Sequence, residues 1–269
     1  MKERYDVVFV VLTYKNTEDL KDFLKSTKTL DFTYRVVVVN SHFDEATEET
    51  LREIAESENC DFIDVPNCGY GAGNNRGMEW AAGHYLYDAL IVCNPDTVIR
   101  EFSKAALSPY LGRPVIVAPD VLCASGKRQN PAIVRDNRTA DRLIYQGYKR
   151  DSKLRMYSGF ALNKLRRLRF LRKKKKDGML IYQAHGCFVI FTKEALDLLS
   201  PVYDENMFLF YEEMDLSFKA ASVGVSTVFC DRIHIFHKED GSMKLSNLNL
   251  YNEYKKSCIY CCEKWGINK

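Results

Sequence analysis

The sequence has no long apolar run. Its longest stretches of that kind, such as Val7–Leu12 and Val36–Val39, fall far short of the ~20 residues that a membrane-crossing helix requires. Residues Met1 to Asp6 are charged where a signal peptide needs an apolar stretch, so no export signal is expected and the cytoplasm is the expected compartment. A disulfide pattern is also missing. The nine cysteines are odd in number, and Cys93, Cys187 and Cys230 sit inside apolar stretches, as reduced core thiols do. Cys258, Cys261 and Cys262 form a Cys-x-x-Cys-Cys group without the second pair or nearby His that a structural zinc site wants. They read as thiols on a C-terminal helix. No internal repeat occurs, and no Gly-x-Gly-x-x-Gly follows the first strand pattern, which weakens a nicotinamide-dependent oxidoreductase reading. Finally, acids are absent between Lys164 and Lys176, where nine Lys or Arg fall. The whole chain is only +3, so everything outside that segment is net negative. One segment is basic, and the protein is not.

What is present is ordinary globular material, with 46% hydrophobic and 28% charged residues in 269, enough for a sizeable core. The first hundred residues alternate strand and helix patterns. Tyr5–Leu12, Tyr34–Asn40, Phe62–Val65 and Ala89–Cys93 read as strands. Helices are expected from Asn16 or Thr17 through Leu24, over Thr47–Ser57 and over Asn75–Tyr87. That alternation predicts an α/β fold with a parallel sheet and ligands at the carboxyl ends of its strands. The rhythm breaks after Pro119, and 120–180 reads as a polar, basic, flexible or accessory region. Order returns at Ile181–Phe191, followed by helices over Thr192–Leu199 and Glu212–Ser222. Strand runs at Ser226–Cys230 and Ile233–His237 come next, then a helix over Leu248–Trp265.

Four segments fall where strand patterns end. Thr13-Tyr14 follows the first strand and Asn40-Ser41 the second; polar side chains there suit a base or ribose, and Tyr14 could stack on a base. Asn67-Cys68-Gly69-Tyr70-Gly71-Ala72-Gly73-Asn74-Asn75-Arg76-Gly77 joins the third strand to a helix whose free N–H groups and dipole favour phosphate. Asn94-Pro95-Asp96-Thr97 presents a carboxylate just past a buried strand, as a hard divalent cation requires.

Taken in order, these segments resemble the family-2 inverting glycosyltransferases of GT-A fold, most closely their rhamnosyltransferase-like branch. The resemblance continues through Gly186–Phe191, through Tyr203–Leu216 with its Tyr211-Glu212-Glu213-Met214-Asp215 core, and through His237 with Gly241 and Ser242. It implies one domain over 1–269: a nucleotide-sugar half over 1–119, the basic segment over 120–180, and an acceptor half over 181–269. Thr13, Tyr14 and Asn40 would then hold the nucleoside, and Asn67, Gly69, Asn75 and Asn94 the donor. Asp96 and His237 would hold Mn²⁺ or Mg²⁺, with Asn94 standing where many members have the first Asp of Asp-x-Asp. The general base falls to Glu213, where the family has Asp. Adjacent residues on a helix point about 100° apart, so Glu212 would serve acceptor orientation or structure, and Asp215 would turn to its own helix's first turn. The implied reaction moves one sugar, dTDP-rhamnose first, UDP-hexose or UDP-galactofuranose next, onto a glycan or lipid-linked acceptor with inversion.

Two further expectations rest on Lys164–Lys176. Leu162, Leu165, Leu168 and Leu171 recur every third residue among the basic residues, a pattern that suits a helix lying on an anionic membrane surface at the inner face of the cell membrane. The same segment prompts a nucleic-acid-binding reading. Its one aromatic, Phe170, and the absence of a recognisable binding fold argue against that.

Overall fold

The computed structural model describes residues 2–173, 176–239 and 249–268. Gly241 and Ser242, and Lys174 and Lys175 of the basic segment, lie outside the described residues. In chain order the elements begin β1 (Glu3–Thr13), α1 (Glu18–Thr27), β2 (Tyr34–Ser41), α2 (Glu45–Ser57), β3 (Asp61–Val65), α3 (Tyr70–His84), β4 (Tyr85–Cys93) and β5 (Thr97–Glu101). Next come α4 (Lys104–Leu107), β6 (Val115–Cys123), α5 (Arg138–Lys149), α6 (Lys153–Leu171), β7 (Met179–Ile181) and β8 (Phe188–Thr192). The chain continues through α7 (Lys193–Leu199), α8 (Glu212–Ser222), β9 (Ser226–His237) and α9 (Leu250–Lys264).

The Val-rich runs form strands because β-branched side chains fit a pleated surface that is covered on both sides. Along β1, Val7, Phe9 and Val11 join Leu20, Phe23, Leu51 and Ile54 from α1 and α2 on one face. Val8 and Val10 join Met78 and Ala81 of α3, Leu196 of α7 and Leu216 of α8 on the other. The period of two thus sorts one strand between two cores.

The sheet order is β3-β2-β1-β4-β8-β6-β9-β5, with β7 on β9. The first four strands are parallel, as the alternation predicts. Beyond β4 the sheet is mixed: β8 runs antiparallel to both β4 and β6, while β6 and β9 are parallel. Strands from 1–119 and from 181–269 therefore lie in one continuous sheet, and β8 brings the Gly186-Cys187 motif beside the end of β4.

Several boundaries differ from the sequence reading, each for a physical reason. Helix α3 begins at Tyr70, five residues before the expected Asn75, because the glycines that suggested a loop permit close packing. At Gly77 an added Cβ would lie 2.4 Å from Val10 Cγ1 and 2.6 Å from Val39 Cγ2. Strand β6 passes through Pro119, and β9 is one strand whose ladder to β6 jumps from Cys230 to His234 at a bulge. Residues 120–180 hold a helical hairpin, α5 and α6, with its own core built from Ile144, Tyr145, Tyr148 and Met156 against α8 and α9. Periodicity is faint in α6 because apolar side chains occupy two opposite faces of it. The every-third-residue leucines do not share a face either, since a step of three turns ~300° and the four drift around the helix. Cys258, Cys261 and Cys262 are buried thiols on α9, as expected.

Gly77→Ala should destabilise by about 1–3 kcal/mol, the usual cost of forcing a methyl group into a packed interface. Gly83→Ala, in the same helix with nothing within 4 Å, should be neutral or stabilising. Urea midpoints of the two variants check this.

Candidate active site

A cavity of about 910 Å³ opens at the carboxyl ends of β1, β2, β4 and β9. Tyr14 and Lys15 follow β1, Ser41 ends β2, and Asn67, Gly69 and Tyr70 come from the β3–α3 turn. Asn94, Pro95 and Asp96 follow β4, and His237 ends β9. The far wall is His185, Gly186 and Cys187 before β8, then Glu212 and Glu213 opening α8, with Tyr254 of α9 over them.

The turn after β4 is tightly specified. Asn94 N–H donates to the Cys187 carbonyl at 2.9 Å, and Thr97 Oγ1 donates to the Asn94 carbonyl at 2.7 Å. Asp96 is thereby held 3% exposed, with Oδ1 lacking a hydrogen-bond partner among the described residues. His237 Nε2 stands 3.2 Å from that oxygen. Its other nitrogen, Nδ1, lies 2.7 Å from Gln129 Oε1, and Gln129 Nε2 donates to Glu239 at 3.0 Å. With its amide nitrogen spent on Glu239, Gln129 presents its oxygen to the ring. The proton therefore belongs on Nδ1 and a lone pair faces Asp96. An orphaned carboxylate oxygen beside a bare imidazole nitrogen is a donor set that fits a divalent cation. His185 adds a second nitrogen nearby and, with Cys187 and His237, groups its ligand atoms within 4.8 Å. Burial first, then the neighbouring His237, pushes the His185 pKa down to about 4, which keeps it neutral. The Cys258–Cys261–Cys262 group is in neither ligand cluster found among the described residues.

The two glutamates enter through strained backbone. Phe210 (φ 70) and Tyr211 (φ 69) are consecutive left-handed non-glycine residues, costing roughly 1–3 kcal/mol each. Their rings pack on Tyr254, at 4.3 Å and 5.7 Å between centroids, which holds the reversal. Glu213 Oε1 accepts the Gly186 N–H at 3.2 Å, an approach that only a residue without Cβ allows, since a Cβ there would lie 2.5 Å from that oxygen. Glu212 Oε1 is buried without a partner among the described residues. Burial, then the charge of Glu213, pushes the Glu212 pKa up to about 8. Burial also raises Glu213, against backbone N–H donors that favour its charged form.

Of the residues expected at the donor, Tyr14, Asn67, Gly69 and Asn94 line the cavity wall, whereas Thr13, Asn40 and Asn75 do not. Thr13 Oγ1 donates to the Val39 carbonyl at 3.1 Å, and the Asn40 amide donates to Asp64 at 2.6 Å. Asn75 instead grips the loop ahead of α8: its Nδ2 donates to the Tyr203 carbonyl at 2.9 Å and its Oδ1 accepts the Tyr203 N–H at 3.1 Å. Gly69 (φ 103) passes so near Phe208 that a Cβ would lie 2.4 Å from the Phe208 carbonyl oxygen, and Tyr70 N–H donates to that oxygen at 2.8 Å. Asp215 does not turn to its own helix. It accepts Lys264 Nζ at 2.6 Å and Trp265 Nε1 at 2.7 Å, tying α8 to α9. Sequence reasoning missed Tyr70, Gln129, His185 and Tyr254. Tyr70 lies inside one motif already singled out and His185 adjoins another, while Gln129 lies in the stretch read as irregular and carried no signal.

The Glu212 shift has a sign that can be tested. Its pKa of about 8 in the folded protein against 4.5 unfolded means that the folded state holds the extra proton between those values. Stability should therefore fall as pH rises through that window. Glu212→Gln should remove this part of the fall: nearly neutral at low pH, stabilising by about 1–3 kcal/mol above the folded pKa. Denaturant melts across that range check it.

No family model matches the chain. It is 21% identical over 259 residues to a low-salt glycan biosynthesis hexosyltransferase of Haloferax volcanii, across 93% of this chain and 73% of that protein. Among solved structures it is similar to GalNAc-T7 with UDP, GalNAc and Mn²⁺, with a TM-score of 0.64 and 15% identity over 96% of this chain. It is also similar to S. aureus TarS residues 1–349 in complex with UDP, with a TM-score of 0.53 and 13% identity over 88% of this chain. The chain spans 48% and 60% of those two structures' lengths. The chain has the GT-A glycosyltransferase fold, a mixed α/β sheet flanked by helices.

Proposed function

We propose that the protein transfers a sugar from a nucleotide-diphosphate donor to an acceptor hydroxyl in glycan synthesis, with inversion. The observation that carries this reading is one cavity with a cation-type donor set on one wall and two buried glutamates on the other. UDP in the GalNAc-T7 and TarS structures, and the hexosyltransferase relative, favour a uridine-linked hexose ahead of dTDP-rhamnose.

Tyr14 and Ser41, at the ends of β1 and β2, receive the nucleoside, and Asn67 and Gly69 line the path of the diphosphate. Asp96 and His237 are the residues that would hold Mn²⁺ or Mg²⁺, with His185 in reach; a nitrogen ligand favours Mn²⁺, because Mg²⁺ takes oxygen. Such an ion supplies one thing, neutralisation of the charge that grows on the departing diphosphate. Gln129 fixes the His237 tautomer that this requires. Asn94 brings no charge to the cation; its Oδ1 lies 3.1 Å from the Tyr70 hydroxyl. Glu213 is the base that takes the acceptor proton from its place against the Gly186 amide. Glu212, neutral beside it, leaves Glu213 the charged member of the pair. With no covalent nucleophile needed, one displacement inverts the anomeric carbon.

With a defined acceptor and UDP-hexoses offered beside dTDP-rhamnose, Glu213→Gln should lower turnover by about 10²–10⁴ and leave donor affinity near wild type. Glu212→Gln should be milder. A dead Glu212→Gln beside an active Glu213→Gln would move the base by one residue. EDTA and Asp96→Ala should each abolish transfer, and full activity in EDTA would defeat the metal assignment.

Gln129→Leu should weaken Mn²⁺ binding by about 10–100-fold, the usual cost of losing an outer-shell partner. Titration calorimetry with Mn²⁺ alone, without substrate, measures it.

A further inference from the structure

Among the described residues, helix α6 is held to the protein by one face. Met156, Gly159, Asn163, Arg167 and Phe170 recur at steps of three and four and point inward. Met156 joins the hairpin core, and Asn163 Oδ1 accepts from Asn137 at 3.1 Å. Arg167 Nε donates to the Pro131 carbonyl at 2.7 Å, and Phe170 packs edge-on to Phe229 at 5.6 Å. The opposite face carries a second stripe at the same spacing, Leu154, Tyr157, Ala161, Leu165 and Leu168, and it is bare. Leu154 is 80% exposed, Tyr157 61% and Leu165 57%. Lys153 and Lys164 flank this stripe on one side, with Arg155, Arg166 and Arg169 on the other. From Lys153 to Lys173 the sequence has no acid. No salt bridge occupies any of these five flanking cations among the described residues.

We propose that this outward face of α6 docks on an anionic lipid bilayer surface, with the stripe at the boundary between headgroups and acyl chains and the flanking cations on lipid phosphates. An apolar stripe about 21 Å long, at 1.5 Å per residue, bordered on both sides by cations without a salt bridge among the described residues, is the arrangement of a helix lying in the plane of an interface. Tyr157 adds a ring suited to the headgroup level. Charge complementarity selects anionic lipid over a neutral protein partner. The docking residues differ from those that spacing alone suggested. Leu154, Tyr157 and Ala161 enter, while Leu162 and Leu171 fall to the sides of the helix. No helix among the described residues is long and apolar enough to cross a membrane, so contact through α6 is at the surface.

The test uses the full chain with no substrate, which keeps it independent of the sugar-transfer reading. Co-sedimentation with phosphatidylglycerol–phosphatidylcholine vesicles should show binding that falls steeply as salt is raised, with little binding to phosphatidylcholine alone. Two surface variants, Leu154→Ser/Leu165→Ser/Leu168→Ser and Lys164→Gln/Arg166→Gln/Arg169→Gln, should each weaken partition by about tenfold or more. Their thermal melts should match wild type, since none of these side chains is buried. No binding to the anionic vesicles, or equal binding by both variants, overturns the proposal. A wild-type dimer in sedimentation equilibrium that the leucine variant makes monomeric also overturns it, by assigning the face to a second copy.

Discussion

The two-bond grip of Asn75 on the backbone of Tyr203 joins the halves of the cavity. Asn75 belongs to α3, packed on β1 and β2; Tyr203 begins the loop that ends in the two glutamates. One more bond, from Tyr70 N–H to the Phe208 carbonyl, fastens the same loop to the first turn of the same helix. Both depend on how near α3 can come to its neighbours, and that distance is set by the absence of side chains at Gly69 and Gly77. The Asn75 amide and the Tyr203 backbone satisfy each other in this way, at a place closed to solvent.

From that attachment follows the charge arrangement of the site. The strained Phe210–Tyr211 reversal turns α8 so that its first two side chains meet inside the protein, where two full negative charges cannot coexist at low cost. The Gly186 amide favours charge on Glu213, and proximity then keeps the proton on Glu212. Across the cavity, the turn after β4 buries one oxygen of Asp96 without a donor among the described residues. The cavity thus carries a carboxylate oxygen without a donor among the described residues at one wall and a closely coupled glutamate pair at the other.

The amount legible in the sequence differed sharply between elements. β1, β2 and β4 could be read because a strand buried on both faces is written as an uninterrupted apolar run. Asp96, His237 and the glutamate pair could be named because each stands at the end of such a run or opens a helix, in an order that resembled a known family. Boundaries in the glycine-rich turn could not, because the same residues that break a helix in isolation let α3 press against the sheet. The hairpin of α5 and α6 was opaque for a different reason: with apolar side chains on two faces of α6, no single stripe stands out. Thr13, Asn40 and Asn75 lie in the right motifs but spend their side chains on the backbone and on Asp64. A motif locates a residue along the chain and leaves open which way it points.

The short segment from Arg128 to Pro131 is held from several directions. Arg167 of α6 binds its Arg128 and Pro131 carbonyls, and Asn130, fully buried, donates to the Pro119 carbonyl at 2.9 Å and accepts the His185 N–H at 2.7 Å. Gln129, between these anchors, sets the ring of His237. The position of α6 and the hydrogen bond that orients His237 are therefore tied through one four-residue segment. Any free-energy coupling between the two ends of that segment acts equally in both directions.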